Sequence, residues 1–214
     1  MSELQIDVVT DIVCPWCFIG VVRLGKVLAR TGTAARIIHH PFLLDPDVPP
    51  EGIDVAEKLR KRLGGDPSAM FARVEAEARK SGIALDLSKQ PRQRPTLAAH
   101  TLIRHALDKG TQDALARALF EAHFLEARNI ADPAVLVEIA TRFGFAEEEA
   151  RSLVGDAAEL AITRQLALDA AQGGISGVPF FVFDRRLALS GCQPEDVFEQ
   201  ALAQAKGAGA EAHA

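Results

Sequence analysis

The sequence lacks several features, and each shortage excludes a class of protein. None of its apolar runs approaches the roughly 18 residues that cross a membrane as a helix. Its formal net charge of -5 contains no block of like charges, which argues against nucleic acid as a partner. The composition is typical of a globular protein, with 48% hydrophobic and 25% charged residues over 214 positions. The length fits one large domain or one domain with an insertion.

The beginning of the chain leaves little room for a targeting segment. Residues 1–3 lead directly into an alternating apolar run, so neither a charged region nor an apolar signal core fits before it. We therefore expect a cytoplasmic protein with no membrane partner. Cytoplasmic cysteines stay reduced, and a close pair is then more often catalytic than structural.

Cysteines are scarce, and two of the three form the motif Cys14-Pro15-Trp16-Cys17. The motif lies between a β-type run and a run of helical periodicity. Cys14 would thus begin a helix, where unpaired N–H groups favour the thiolate that reacts with disulfides. Pro15 suits the first helical position, and Cys17 lies one turn further, close enough to form a small disulfide. This context predicts a thioredoxin-like redox pair.

Two interpretations in which the cysteine pair has no redox role remain open. Cysteines with this spacing form half of many zinc sites, but such a site needs four ligands. The third cysteine, Cys192, stands alone, and His39 and His40 are adjacent rather than spaced as metal ligands. We predict no metal. The two thiols could also be unreactive core residues, which the order of strand, motif and helix disfavours.

The hydrophobic patterns divide the chain into a thioredoxin-like unit and an inserted helical segment. Runs at 4–9 and 34–40 flank a helix at 18–30, which predicts a βαβ unit with parallel strands over residues 1–52. Residues 53–173 show helical periodicity almost throughout, and no β-type run interrupts them. The predicted helices there are 54–63, 66–80, 96–108, 112–125, one from 132, 146–154 and 156–172.

The β-type pattern returns near the end of the chain. Runs at 178–183 and 187–190, separated by a short polar turn, predict an antiparallel hairpin. A final helix completes a ββα unit over residues 174–205, and residues 206–214 are predicted to be a flexible tail. The fold class is therefore α/β, in the order βαβ, helical insertion, ββα.

Several short motifs, taken in order, resemble those of one protein family. They are Cys14–Gly20, Pro41-Phe42 with Leu44 and Pro46, Thr96-Leu97 with His100 and Leu102-Ile103, Gly177-Val178-Pro179, and Ser190-Gly191 with Gln193-Pro194. Together they are similar to the DsbA-like thioredoxin family, in particular its cytoplasmic FrnE-like branch, over nearly the whole chain. The resemblance implies a thioredoxin-like fold, with a four-stranded mixed sheet and a large all-helical insertion. It also implies a protein-disulfide oxidoreductase in which Cys14 attacks and Cys17 resolves.

The same fold includes relatives that do not exchange disulfides. The 2-hydroxychromene-2-carboxylate isomerases and kappa-class glutathione transferases resemble this chain but carry serine where it has Cys14. Because both thiols are kept, we expect an oxidoreductase that forms mixed disulfides with protein or small-molecule substrates. A glutathione-dependent isomerase or transferase is the first alternative, with glutathione as co-substrate, and a peptide-binding or chaperone module is the second. No metal or flavin is expected, and a monomer and a homodimer fit the sequence equally well.

Two further features are expected beside the dithiol. Val178-Pro179 resembles the cis-proline of the thioredoxin fold, which would turn the Val178 N–H and C=O towards the thiols, where an extended substrate could pair with them. An ordinary trans proline at the start of a strand is the alternative. Trp16 is expected to expose an apolar surface to an unfolded partner rather than to pack internally.

Three side chains are weaker candidates for the site. Asp11 could take the proton of Cys17, raise the pKa of that thiol by like charge, or bond to the backbone. His100 matches a family position and could either face the dithiol or pack in the core. Cys192 departs from the resemblance, which implies alanine there. It could be a reactive thiol of lowered pKa, at a helix N-terminus that binds an anion such as the glutathione carboxylate, or a buried replacement for a small residue.

Overall fold

The computed structural model describes residues 3–211, with side chains as far as residue 207. The strands, in chain order, are β1 (Leu4–Thr10), β2 (Ala35–Pro41), β3 (Ile53–Asp54), β4 (Arg92–Gln93), β5 (Phe180–Phe183) and β6 (Leu187–Ser190). The helices are α1 (Pro15–Thr31), α2 (Val55–Leu63), α3 (Ser68–Lys80), α4 (Leu97–Ala106), α5 (Gln112–Phe124), α6 (Pro133–Thr141), α7 (Glu147–Gly155), α8 (Ala157–Gln172) and α9 (Glu195–Glu211). Within these residues, no helix is both long and apolar enough to cross a membrane.

The main sheet has four strands in the order β2-β1-β5-β6. β1 pairs in parallel with β2, as the crossover through α1 requires, and antiparallel with β5, which forms a hairpin with β6. Ile6 lies opposite Phe183 and Val8 opposite Phe181, and all four side chains are fully buried. Each such burial stabilises the fold by about 1.5–3 kcal/mol. The predicted thioredoxin-like mixed sheet and the α/β class are confirmed.

Helix α1 carries the cysteine motif at its beginning. Pro15 occupies the first helical position, where its missing N–H costs no helical hydrogen bond. The helix ends at Gly32, whose φ of 61° is in the left-handed region that glycine adopts without steric cost. Ile19, Leu24 and Val27 face the core and are almost completely buried. This packing fixes the first turn of the helix against the end of β1.

The inserted helices share a core with the sheet unit. Helices α4, α5 and α8 pack against β2, and α5 also contacts α1. The ring of Phe18, directly after the cysteine motif, stacks on Phe120 and Phe124 of α5, with ring centroids 5.6 and 5.8 Å apart. Such aromatic pairs add about 0.5–1.5 kcal/mol beyond burial. The insertion therefore forms one wall of the region around the motif.

Two details of the predicted layout differ from the structure. The expectation that no strand interrupts the insertion is wrong, because Ile53 pairs with Gln93 and Asp54 with Arg92 in a second, two-stranded sheet. Strands of two residues are too short to show alternation in the sequence. The last helix continues to Glu211, so the predicted tail at 206–214 begins inside it, and residues 212–214 lie outside the described part of the chain.

Candidate active site

The two motif cysteines lie on the first turn of α1, directly after the end of β1. Cys14 is the N-cap residue, and its N–H donates to the carbonyl of Asp11 at 3.0 Å. The N–H groups of Cys17 and Phe18 donate to the carbonyl of Cys14 at 3.0 and 3.2 Å. Both cysteines are free thiols, 5% and 0% exposed. The turn thus places Cys14 at the surface edge and Cys17 beneath it.

The pKa of Cys17 is raised well above the ordinary value of a thiol. Burial is the main cause, followed by the hydrogen bond to Cys14 and the electrostatic interaction with Cys14. The backbone of Asp11 lowers the pKa in part, whereas the carboxylate of Asp11 raises it. Cys17 is therefore protonated at neutral pH and needs a base before it can act as a nucleophile.

The segment before β5 lies against the reactive end of α1. The Val178–Pro179 peptide bond is cis, and the Cys14 thiol faces the carbonyl oxygen of Val178 at 3.8 Å. The carbonyl of Pro179 accepts from the N–H of Gly191 at 2.8 Å. A methyl group added at Gly20 would lie 3.2 Å from Cγ of Pro179, so α1 and this loop are closely packed. The arrangement leaves the Val178 main chain beside the thiols.

The two residues between the cysteines are both partly exposed. Pro15 begins the helix, and Trp16 packs against the hydrophobic core with part of its surface open. The prediction that Trp16 is exposed rather than packed is therefore only half right. The indole of Trp16 therefore covers part of the apolar core beside the cysteines, while the rest of the ring system stays accessible.

Asp11 is a buried carboxylate held from two sides. It is 1% exposed, and its Oδ2 accepts from the N–H of Leu44 at 2.9 Å. Its Oδ1 lies 3.4 Å from Nε2 of His100, which is 3% exposed on α4. Of the alternatives left open by the sequence, the bond of Asp11 to the backbone is therefore present, and the charge of Asp11 also raises the pKa of Cys17. His100 is packed in the core and at the same time contacts Asp11.

Two residues of this region have no signal in the sequence. His123 on α5 is 2% exposed, and burial lowers its pKa to about 4, although the charge of Asp11 opposes the shift and that of Arg94 adds to it. Among the described residues, neither Nδ1 of His123 nor Nε of Arg94 has a hydrogen-bond partner. Only the three-dimensional packing brings them near Asp11, because each lies in an otherwise ordinary helical or loop pattern.

Cys192 lies in the turn between β6 and α9, on the same side as the dithiol. Nη1 of the buried Arg23 is 3.5 Å from its sulfur, and the guanidinium is also bound to Glu77. Burial raises the pKa of Cys192 to about 11, since it outweighs the charge of Arg23, and Cys14 and Glu77 raise it further. Of the two alternatives left open by the sequence, the thiol of lowered pKa is therefore wrong, and the side chain is half-buried. Anion binding at that helix stays a prediction.

The sequence matches the DSBA-like thioredoxin domain over residues 5–203. An uncharacterized protein of Bacillus subtilis, YwbO, is 24% identical over 203 residues, which cover 93% of this chain and 96% of that protein. Among solved structures, the crystal structure of a probable DsbA oxidoreductase from Streptomyces coelicolor is similar, with 34% sequence identity. The comparison covers 96% of this chain and 91% of that one, with a TM-score of 0.83.

More distant solved structures share the fold. The cytosolic disulfide reductase DsbM from Pseudomonas aeruginosa, solved with GSH, has a TM-score of 0.60 at 21% identity, covering 94% of this chain and 99% of that one. A 2-hydroxychromene-2-carboxylate isomerase has a TM-score of 0.71 at 13% identity, covering 97% and 98%. The fold therefore occurs in both oxidoreductases and isomerases.

Proposed function

The chain belongs to the DSBA-like thioredoxin family, and from this membership we propose that it is a thiol–disulfide oxidoreductase that cycles Cys14 and Cys17 between dithiol and disulfide. One observation carries the proposal. Two free thiols share the first turn of α1, and the outer one faces the main chain of Val178 at 3.8 Å. A glutathione-dependent isomerase of this fold would not need the second thiol.

The reaction proceeds through a mixed disulfide. The Cys14 thiolate attacks one sulfur of the substrate disulfide, and the other sulfur leaves with the electron pair of the broken bond. Cys17 then loses its proton and attacks the Cys14 sulfur. The Cys14–Cys17 bond forms, and the remaining substrate sulfur leaves as a thiolate that takes up a proton. The protein loses two electrons and the substrate gains them; the reverse sequence oxidises a substrate dithiol.

Asp11 is the base for the second step in this proposal. The high pKa of Cys17 keeps its proton in place, and the buried Asp11 carboxylate is close enough for its charge to act on that thiol. A positioned carboxylate of this kind typically accelerates proton removal by about 10²–10⁴-fold. Asp11 thus converts a poor nucleophile into a thiolate at the moment when the mixed disulfide is present.

Val178 and Pro179 form the proposed substrate contact. Because the Val178 carbonyl faces Cys14, an extended substrate segment can pair with the Val178 main chain while its sulfur approaches the Cys14 thiol. Disulfide-bearing proteins and small-molecule disulfides both satisfy this geometry. Glutathione is the small co-substrate that we propose, in view of the related P. aeruginosa reductase, which was solved with it and is cytosolic. A cytoplasmic location of this chain is part of the same proposal.

Single-cysteine variants test the proposal. In a reduction assay with insulin, Cys14→Ser should abolish activity, whereas Cys17→Ser should accumulate a covalent mixed disulfide. Cys192→Ala is the matched control and should retain the wild-type rate, because this thiol lies outside the pair. Unchanged activity in Cys14→Ser would favour a binding module with incidental thiols. Failure of Cys17→Ser to trap any mixed disulfide would contradict the assigned roles.

A further inference from the structure

The contact between Asp11 and His100 joins the two units of the fold behind the dithiol. Asp11 follows β1 of the sheet unit, whereas His100 is on α4 of the insertion, 89 residues later. Nε2 of His100 is 3.4 Å from Oδ1 of Asp11, at the long end of hydrogen bonding, and both side chains are 2% exposed. A carboxylate only accepts hydrogen bonds, so Nε2 of His100 must carry the proton.

The carboxylate of Asp11 has one donor on each oxygen. The N–H of Leu44 binds Oδ2 at 2.9 Å, and His100 supplies the only side-chain donor to Oδ1 among the described residues. A buried acceptor that loses its donor is destabilised, and a charged acceptor is destabilised more. Without His100, the carboxylate would therefore be free to rotate about the Leu44 contact and would lose its orientation as a base.

Several titratable or charged groups surround this carboxylate. Cys17 interacts with its charge from α1, His100 faces it from α4, and His123 interacts with its charge from α5. His123 is neutral at physiological pH because its pKa is about 4, and Arg94 acts on it from the segment before α4. Of these groups, only His100 donates a side-chain hydrogen bond to Asp11. His100 is therefore the residue through which the insertion acts on the base.

We propose that His100 is a positioning residue that holds the Asp11 carboxylate where it accepts the Cys17 proton, so that the helical insertion controls the resolving step. The proposal rests on the thiol–disulfide function above. In that step the Cys17 proton moves to Asp11, and an electron pair of the Cys17 sulfur forms the Cys14–Cys17 bond. The disulfide bond between Cys14 and the substrate breaks, and the substrate sulfur leaves with the electron pair of that bond. His100 keeps its proton on Nε2 throughout.

The two steps can be timed separately with an aromatic disulfide reagent that releases a coloured thiolate. All proteins carry Cys192→Ala, so that only the motif cysteines respond. Attack by Cys14 releases the first thiolate at a rate that rises with reagent concentration. Displacement by Cys17 releases the second at a rate that does not depend on concentration. The second phase therefore reports the resolving step alone.

His100→Leu should slow the second phase by roughly ten- to a hundredfold at neutral pH and leave the first phase unchanged. His100→Gln, whose amide can donate from a similar position, should restore most of the rate. The deficit of His100→Leu should shrink as the pH rises towards the high pKa of Cys17, because the thiolate then forms without a base. A residue with only a structural role would not produce this pH dependence.

His39→Leu is the matched control. It removes the contact of an equally buried histidine with a partly exposed carboxylate, in which Nε2 of His39 lies 2.9 Å from Oδ1 of Asp113. Both phases should then keep the wild-type rates. If His100→Leu does not fold, His100→Asn replaces it, since the shorter amide does not reach Asp11; it should show the same slow second phase.

A wild-type second phase and pH profile in His100→Leu, or in its Asn substitute, would overturn the proposal. So would equal slowing in His39→Leu, or no recovery in His100→Gln, because both outcomes describe a packing role. A wild-type protein that releases no thiolate through Cys14 would instead contradict the proposed function itself. The two failures are thus distinguishable in one experiment.

Discussion

The Sγ atom of Cys14 lies 3.8 Å from the carbonyl oxygen of Val178, which is 164 residues away in the sequence. The contact joins the beginning of α1 to the segment before β5. The two halves of the interrupted sheet unit therefore meet at the reactive thiol, with the helical insertion as a third side.

Gly20→Ala should disturb the approach of α1 to the Val178–Pro179 segment. Its Cβ would lie 3.1 Å from Cζ of the buried Phe181 and 3.2 Å from Cγ of Pro179, tighter than ordinary contact. We expect a net loss of about 1 kcal/mol in the free energy of unfolding, since overpacking exceeds the gain of about 1 kcal/mol in helix propensity. Disulfide exchange should slow as well. Urea denaturation and the insulin assay measure the two effects.

Gly25→Ala is the control for that substitution, on the same helix. The three atoms nearest to its Cβ would all belong to the guanidinium of Arg117, the nearest at 2.7 Å, and the end of a flexible side chain can move away. This variant should be as stable as the wild type or up to about 1 kcal/mol more stable. If both variants have the same stability and exchange rate, α1 does not pack as closely on the loop as described.

Cys192 should be slow to react with alkylating agents at neutral pH. Its pKa of about 11 leaves a thiolate fraction on the order of a hundredfold below that of an exposed thiol. After the motif cysteines are oxidised, native protein treated with iodoacetamide should gain almost no label by mass spectrometry, and labelling should increase steeply at high pH. Rapid labelling at neutral pH would show instead that Cys192 is a reactive thiol.

Asp113 should stabilise the fold above about pH 4 and lose this effect in acid. Burial alone would raise its pKa, but the hydrogen bond and charge of His39, together with Arg117, hold it at about 2. Because the folded pKa is depressed, the contribution is complete above the unfolded value of about 3.9 and disappears as the pH falls through 2. Urea unfolding should show Asp113→Asn less stable by about 2 kcal/mol at neutral pH.

The difference between the wild type and Asp113→Asn should shrink steadily between about pH 4 and pH 2. Asp132→Asn offers a comparison, because that carboxylate caps α6 at 2.8 Å from the Ala134 N–H and has no histidine partner among the residues that the structure describes. A stability difference for Asp113→Asn that does not change with pH over this range would show that the His39 and Arg117 contacts do not depress its pKa.

The sheet unit was predictable because each of its elements has a local signature. Alternation marks the buried β1 strand, and Pro15 and Gly32 delimit α1. The two-stranded sheet at β3 and β4 was missed because strands of two residues leave no alternation. Its pairing depends on a contact across the insertion, supported by the left-handed turn at Gly52.

The site was predictable only residue by residue. Cys14 and Cys17 have a motif, and Asp11 and His100 could be named as separate candidates. Their contact depends on the packing of α4 against the end of β1, which no periodicity encodes. His123 was missed because a histidine among apolar helical residues looks like any packing residue. The pKa of Cys192 depends on how far the turn before α9 is buried, which the sequence does not specify.

The central claim is that Cys14 and Cys17 form one redox couple, and equilibration in glutathione buffers of varied composition tests it most directly. After acid quenching and alkylation of the unfolded protein, mass spectrometry follows the tryptic peptide that carries both cysteines. We predict that this peptide loses two hydrogen atoms in a single two-electron transition, while Cys192 is alkylated at every composition. A peptide that stays alkylated at both cysteines in the most oxidising buffer, or a Cys14–Cys192 link, would contradict the account.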